Sequence, residues 1–103
     1  MGPSPEAARV KVVGRVRIEE FCIGNPDATS RMNAWLMEVE RANWRTSQDV
    51  KDRYGTASFL GANRVVFNIG GTRFRLLTKI AYKTGIVLIE RVGTHEEYDT
   101  WDL

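Results

Sequence analysis

The stretch that decides the fold lies between residues 64 and 76, which read RVVFNIGGTRFRL. Apolar and polar side chains alternate over Arg64–Ile69, as is typical of a strand with one buried face. Two glycines follow, and glycine tolerates the positive φ that two-residue hairpin turns require. We therefore predict a hairpin in which Phe67 faces Phe74 and Asn68 faces Arg73. This register pairs apolar with apolar and polar with polar side chains, as a sheet with one buried face demands.

A second hairpin is predicted directly downstream. The alternation continues over Arg73–Tyr82, and Lys83–Gly85 resembles a three-residue loop with glycine in the left-handed position. A two-residue turn would instead place Arg91 on the apolar face, which is costly for an unpaired charge. The favoured register makes three opposed pairs: Tyr82 with Ile86, Leu77 with Arg91, and Arg73 with His95.

The first half of the chain is predicted to be mainly helical. Residues 1–8 are interpreted as a flexible leader and Arg9–Val13 as a short strand. Helices are expected over Val16–Ile23, from an Asn25 cap onward, and over Gln48–Tyr54. The second of these carries a core-facing stripe at helical spacing, namely Ala28, Met32, Trp35, Leu36, Val39 and Ala42. Residues 9–103 thus predict one small α+β sandwich domain, an antiparallel-rich sheet with two to three helices packed on one face.

The composition of the 103 residues excludes several classes of protein. Apolar residues make up 43% and charged residues 27%, as in an ordinary soluble domain. The single cysteine, Cys22, excludes an internal disulfide framework and suits the reducing cytoplasm; its place on an apolar helix face favours a core role. Scattered carboxylates with one histidine give no metal-ligand spacing, and no apolar run is long enough for a membrane span.

Charge is distributed unevenly along the chain. The net charge is only +2, but residues 64–95 carry six basic groups against one acidic group, and residues 96–103 carry four acidic groups. Clustered cations are the electrostatic footprint of a phosphate-binding surface. A solvated sheet face is the simpler alternative. On the predicted register the uncovered face carries Arg64, Asn68, Arg73, Arg75, Lys79, Arg91 and His95.

His95 is the only histidine, and imidazole is the side chain that titrates nearest to cellular pH. Glu97 and Tyr98 are close enough in sequence to orient it or to exchange a second proton, and which group is acid and which is base stays open. RNA supplies its own nucleophile, so a proton-transfer pair and arginines suffice for phosphodiester cleavage without metal or cofactor. A structural or merely exposed histidine remains the alternative. Trp44 and Trp101 could stack on bases, although packing is the simpler role.

Three segments together resemble the HigB group of RelE-like toxins. They are the strand and turn NRVVFNIGG at residues 63–71, the FRL at residues 74–76, and the VGTHEEYD at residues 92–99. NPDA at residues 25–28 and ANW at residues 42–44 are similar to the same group. The likeness therefore covers roughly residues 9–100.

This resemblance implies a cytoplasmic toxin that cleaves translated mRNA on the ribosome, where it also contacts 16S ribosomal RNA. It implies Arg75, His95 and Tyr98 as the catalytic set, with Asn68 and Arg64 supporting RNA placement, and Lys79 matches part of the family. Arg73, Lys79 and Arg91 are also assigned to RNA binding, because they lie on the predicted cationic face. The resemblance further implies a HigA-type helix-turn-helix antitoxin, through which alone the toxin would meet operator DNA. Two alternatives stay open: a ParE-like toxin that binds a protein such as gyrase, favoured by the acidic tryptophan-bearing tail, and an RNA-binding module without activity.

Overall fold

A five-stranded mixed sheet is the centre of the fold. The computed structural model describes residues 9–103; the predicted leader, residues 1–8, lies outside this part. The strand order is β1-β5-β4-β3-β2, with β1 parallel to β5 and all other neighbours antiparallel. The strands are β1 (Lys11–Val13), β2 (Ser58–Phe59), β3 (Arg64–Ile69), β4 (Phe74–Ala81) and β5 (Ile86–Thr94).

Three helices cover one face of this sheet, which confirms the predicted α+β class. They are α1 (Arg15–Gly24), α2 (Thr29–Glu40) and α3 (Ser47–Arg53), and a 3-10 turn at Pro26–Ala28 precedes α2. A fourth, short helix, α4 (His95–Tyr98), follows β5 and was not predicted. None of the helices in the described part of the chain combines the length and apolarity needed to cross a membrane.

The core lies between the sheet and the three longer helices. The predicted stripe of α2 is confirmed, since Met32, Trp35, Leu36 and Val39 are all buried. Phe67 of β3 lies at the centre of an aromatic cluster, with ring centroids 5.2 Å from Trp35, 6.0 Å from Trp44 and 5.1 Å from Tyr54. Trp44 is therefore a packing residue. Residues of α2, of the loop between α2 and α3, and of the chain just after α3 thereby fix the position of β3.

Two ionisable contacts fasten α3 to the rest of the helical layer. The Tyr54 hydroxyl donates to Glu38 Oε1 at 2.8 Å, and burial together with this bond raises the pKa of Tyr54 well above its ordinary value. At the other end, the Asp49 carboxylate accepts from the backbone N–H groups of Arg45 and Thr46, which lowers the pKa of Asp49. Thr46 and Asp49 form a capping box at the start of α3.

The predicted register of the β3–β4 hairpin is wrong by two residues. Asn68 lies opposite Arg75 rather than Arg73, and Phe67 lies opposite Leu76 rather than Phe74. The reason is a four-residue turn over residues 70–73, in which both glycines have positive φ as expected (64° and 70°). A shift of two keeps every side chain on its face, so the assignment of inward and outward residues survives for the strand pair.

The β4–β5 register is correct at one end and wrong at the other. Ala81, not Tyr82, lies opposite Ile86, because the loop has four residues, with Gly85 at a φ of 74°. A β-bulge opposite Leu77 and Thr78 then inserts one extra residue, Glu90, into β5. The bulge restores the predicted pairing of Leu77 with Arg91.

Candidate nucleic-acid interface

The face of the sheet that the three longer helices leave free collects four of the predicted RNA-binding or catalytic cations. Strand alternation places Arg64 of β3, Arg75 and Lys79 of β4, and Arg91 of β5 on this side. Arg64 lies directly opposite Lys79. Like charges directly across two strands destabilise a sheet, so this pair gains from any polyanion that lies over it.

Arg75 occupies a defined position rather than a mobile one. Its Nη1 donates to the carbonyl oxygen of Thr72 at 2.6 Å, and its guanidinium carbon lies 5.2 Å from the centroid of the Tyr98 ring. Within residues 9–103 the guanidinium makes no ion pair with a carboxylate. Its remaining donors are therefore available to phosphate oxygens, the geometry for which arginine is well suited.

The short helix α4 presents Tyr98 and His95 because its first turn is tightly capped. The Glu97 N–H donates to Thr94 Oγ1 at 3.1 Å, and the Thr94 N–H donates to a Glu97 carboxylate oxygen at 2.9 Å. This reciprocal capping box was readable in the sequence as Thr-x-x-Glu. It commits one carboxylate oxygen of Glu97 to the backbone, and within residues 9–103 no hydrogen bond joins Glu97 to the imidazole.

His95 lies at the end of the sheet with its side chain half exposed (50%). Its backbone N–H donates to the Arg73 carbonyl at 2.9 Å, which confirms that positions 73 and 95 are neighbours. The nearest carboxylate is that of Asp99, whose Oδ2 lies 3.7 Å from Nδ1. That separation is too long for a hydrogen bond.

A groove of about 340 Å³ opens beside the imidazole. Thr72 lines this groove and also accepts the hydrogen bond from Arg75. The groove and the Arg75–Tyr98 pair therefore adjoin at one end of the sheet. The groove is lined by Asn25, Asp27, Thr72, Arg73, Phe74, Thr94, His95 and Glu96.

Two predicted RNA-binding residues are engaged in internal contacts. Arg73 lies in the hairpin turn and pairs with Asp27 of the 3-10 turn, so its charge is neutralised at the rim of the groove instead of joining the cationic row. Asn68 donates its side-chain amide to the Thr56 carbonyl at 2.8 Å, which holds the loop before β2. Sequence alternation alone does not reveal either contact, because the partners lie far along the chain.

Asp27→Asn is expected to strengthen RNA binding severalfold at low salt. Both side chains of the Arg73–Asp27 pair are more than half exposed, so losing this pair should cost little stability while releasing one cation toward the groove. Filter binding of a short RNA at several salt concentrations would measure the effect, which should disappear as salt rises. Asp52→Asn, which changes the same charge on α3, is the control, and an equal effect there would assign the gain to net charge alone.

Another part of the open face is covered by Trp101, whose position was not predicted from the sequence. Trp101 packs edge-on to Tyr98 with centroids 5.5 Å apart, and the guanidinium carbon of Arg91 lies 5.3 Å from the Trp101 ring. Below the indole lies Gly93, where a β-carbon would come within 2.7 Å of Trp101 Cζ2. The only available signal was a glycine at an outward-facing position of a strand, which often marks close approach of another group.

The arrangement has the parts needed for acid–base chemistry on a phosphodiester. A solvent-open imidazole and a phenol project from one short helix, and a guanidinium lies on the adjoining strand. Cys22, by contrast, is partly buried against the core, as expected for a packing residue. Within residues 9–103 no cluster of three His, Cys, Asp or Glu side chains is placed to hold a metal ion.

Comparison with known protein families identifies this architecture. The family model of the HigB toxin, described as the RelE-like toxic component of a toxin–antitoxin system, matches residues 28–101. The match includes β2 to β5 and α4, and so contains the cations of the open face, His95 and Tyr98; Asn25 and Asp27 of the groove precede it. No curated protein matches the chain at a significant level.

Proposed function

Because the chain belongs to the HigB family of RelE-like toxins, we propose that it is a ribosome-dependent endoribonuclease that cleaves translated mRNA. The observation that carries the proposal is the Arg75 guanidinium over the ring of Tyr98, with the half-exposed imidazole of His95 on the same short helix as Tyr98. Cations without carboxylate partners suit a phosphate ligand. An imidazole is the side chain best suited to proton transfer at cellular pH.

In the proposed reaction the 2′-hydroxyl of the RNA attacks the adjacent phosphorus. The 2′-oxygen to phosphorus bond forms and the phosphorus to 5′-oxygen bond breaks, which leaves a 2′,3′-cyclic phosphate and a 5′-hydroxyl. His95 and Tyr98 take the proton from the nucleophile and return one to the leaving oxygen. Arg75 stabilises the charge that accumulates on the equatorial oxygens. No metal or cofactor takes part in these steps.

Binding of the RNA strand is assigned to the row of cations across the open face. Arg64, Lys79 and Arg91 would hold phosphates on either side of the cleaved linkage, and they would approach 16S ribosomal RNA in the decoding site. Asn68 and Arg73 contribute indirectly, by holding the loop before β2 and by shaping the groove. Affinity should then fall with salt, by a log–log slope of about 0.7 per phosphate neutralised on single strands.

The toxin–antitoxin family implies an antitoxin partner. We propose that this partner is of the HigA type, with a helix-turn-helix through which the complex binds operator DNA. Both proteins would act in the cytoplasm, where translating ribosomes and the operon are found. Co-expression with the neighbouring open reading frame should abolish growth arrest and yield a stable complex.

The test is cleavage of a defined mRNA on purified ribosomes. We expect cuts within the translated region, 5′-hydroxyl ends on the downstream fragment, and little cleavage of the same RNA without ribosomes. Intact mRNA together with inhibited gyrase supercoiling would instead select the ParE-like alternative. Salt-sensitive RNA binding without any product would select the inactive RNA-binding module.

A further inference from the structure

The segment after α4, residues 99–103, is held against the open face by hydrogen bonds to α4 itself. The Asp99 N–H donates to the His95 carbonyl, and the Trp101 N–H donates to the Tyr98 carbonyl at 3.0 Å. The chain therefore continues to wind after the helix and places the indole of Trp101 beside the phenol of Tyr98.

This indole links two arginines of the sheet through aromatic contacts. Arg75 lies over Tyr98, Tyr98 contacts Trp101 edge-on, and Arg91 lies over Trp101. On the strands, Arg75 pairs with Gly93, two positions from Arg91, so the two arginines are diagonal neighbours about 7–8 Å apart at the backbone. Within residues 9–103 the side chain of Arg91 has no hydrogen-bond or ion-pair partner. Its contact with the Trp101 ring is therefore what orients the Arg91 guanidinium.

Stacking leaves a guanidinium well placed for phosphate. The five N–H donors of arginine lie in the plane of the group, so a ring against its flat side occupies none of them. An aromatic ring close to each guanidinium thus restrains the group without accepting its hydrogen bonds, and of the Arg75 nitrogens only Nη1 is engaged in the described part of the chain, by the Thr72 carbonyl. Two neighbouring guanidiniums restrained in this way would bind phosphates of the same stretch of RNA backbone.

We propose that Trp101 is a positioning residue, which fixes Tyr98 and the Arg91 guanidinium relative to Arg75, and that Gly93 is required because it admits the indole. The expected effect on kcat rests on the proposed ribonuclease function. The expected effect on the position of the Arg91 guanidinium does not. The indole acts through Tyr98 and Arg91 and need not touch the RNA. A β-carbon at position 93 would lie 2.7 Å from Trp101 Cζ2 and 3.4 Å from Cη2, so even alanine must displace the ring.

The first test observes the arginines directly by NMR of their Nε–Hε groups. In the wild type, ring currents should shift the Hε resonances of Arg75 and Arg91 away from those of free arginine. Trp101→Leu and Gly93→Ala should move the Arg91 resonance toward the free value, and Trp101→Phe should largely retain the shift. Unchanged Arg91 resonances in Trp101→Leu would overturn the proposal, whether or not the protein cleaves RNA.

The second test separates positioning from simple stabilisation. We expect Trp101→Leu to lower kcat for ribosome-bound mRNA roughly 10- to 100-fold, since small misplacement of reacting groups has effects of this order, and to raise KM through Arg91. Trp101→Phe should restore kcat to within a few fold. Phe59→Ala is the matched control, because it also removes a ring that carries a stacked cation, Lys51 at 5.0 Å; it should lower the melting temperature and leave kcat per folded molecule unchanged.

The outcomes distinguish this inference from the proposed function. Wild-type cleavage with an undiminished kcat in Trp101→Leu would refute positioning and leave the ribonuclease assignment intact. Loss of activity equal to the loss of folded protein would also refute it. If the wild type cleaves nothing, the ribonuclease assignment fails, and the NMR shifts alone decide whether Trp101 positions the arginines.

Discussion

His95→Ala is expected to lower the single-turnover rate of mRNA cleavage on the ribosome by about 10²–10⁴-fold, the usual contribution of one positioned acid or base. His95 lines the groove, and imidazole is the side chain best suited to exchange a proton at cellular pH. Its side chain is half exposed and more than hydrogen-bond distance from Asp99. Removing it should therefore change the free energy of unfolding by no more than about 0.5 kcal/mol, as for other surface positions.

Companion variants make this measurement specific for proton transfer. His95→Gln keeps a polar side chain but cannot exchange a proton at neutral pH, so it should be as inactive as His95→Ala. Arg75→Ala should cost about 10²–10³-fold, in the range found when one donor to a developing anion is removed. Lys83→Ala removes a cation from the loop at the opposite end of β4 and should leave the rate unchanged. Full activity of His95→Ala at saturating ribosome concentration would refute the proposed acid–base role.

Much of the sheet was predictable because side chains alternate with a period of two. That period assigned Arg64, Arg75 and Arg91 to one face even though both predicted turns had the wrong length. The β3–β4 error was two residues, which preserves the face. In β4–β5 the bulge at Glu90 compensated for the longer loop. A bulge leaves no periodic signal in one sequence. The pairing of Leu77 with Arg91 was therefore predicted correctly but for the wrong reason, since a four-residue loop and a bulge together produce it.

The parts that escaped prediction depend on contacts between distant residues or on very short elements. Strand β2 has two residues and α4 has four, about one period of a strand or a helix, so neither can show a repeating hydrophobic pattern. The pairing of Arg73 with Asp27 joins positions 46 residues apart, and the packing of Trp101 on Gly93 depends on where the chain turns after α4. The core-facing stripe of α2 was predicted well, because that helix is long enough for its apolar residues to repeat at helical spacing.

Phe67→Ala is expected to lower the free energy of unfolding by about 3–5 kcal/mol, the usual cost of removing a buried phenylalanine ring. The Phe67 side chain is 1% exposed and contacts the rings of Trp35, Trp44 and Tyr54. A domain of this size is stable by only about 5–15 kcal/mol, so a large share of its stability would be lost. Urea unfolding followed by circular dichroism would measure the change as a lower midpoint at constant slope.

The same variant separates stability from function, because Phe67 and the cationic face lie on opposite sides of β3. Under conditions where Phe67→Ala is still folded, its cleavage rate per folded molecule should stay within a few fold of the wild type. Phe67→Leu should recover more than half of the lost stability, since it refills most of the cavity. A loss below about 1 kcal/mol for Phe67→Ala would mean that the site collapses around the missing ring. The aromatic cluster would then not be what holds β3, and with it Arg64, in place.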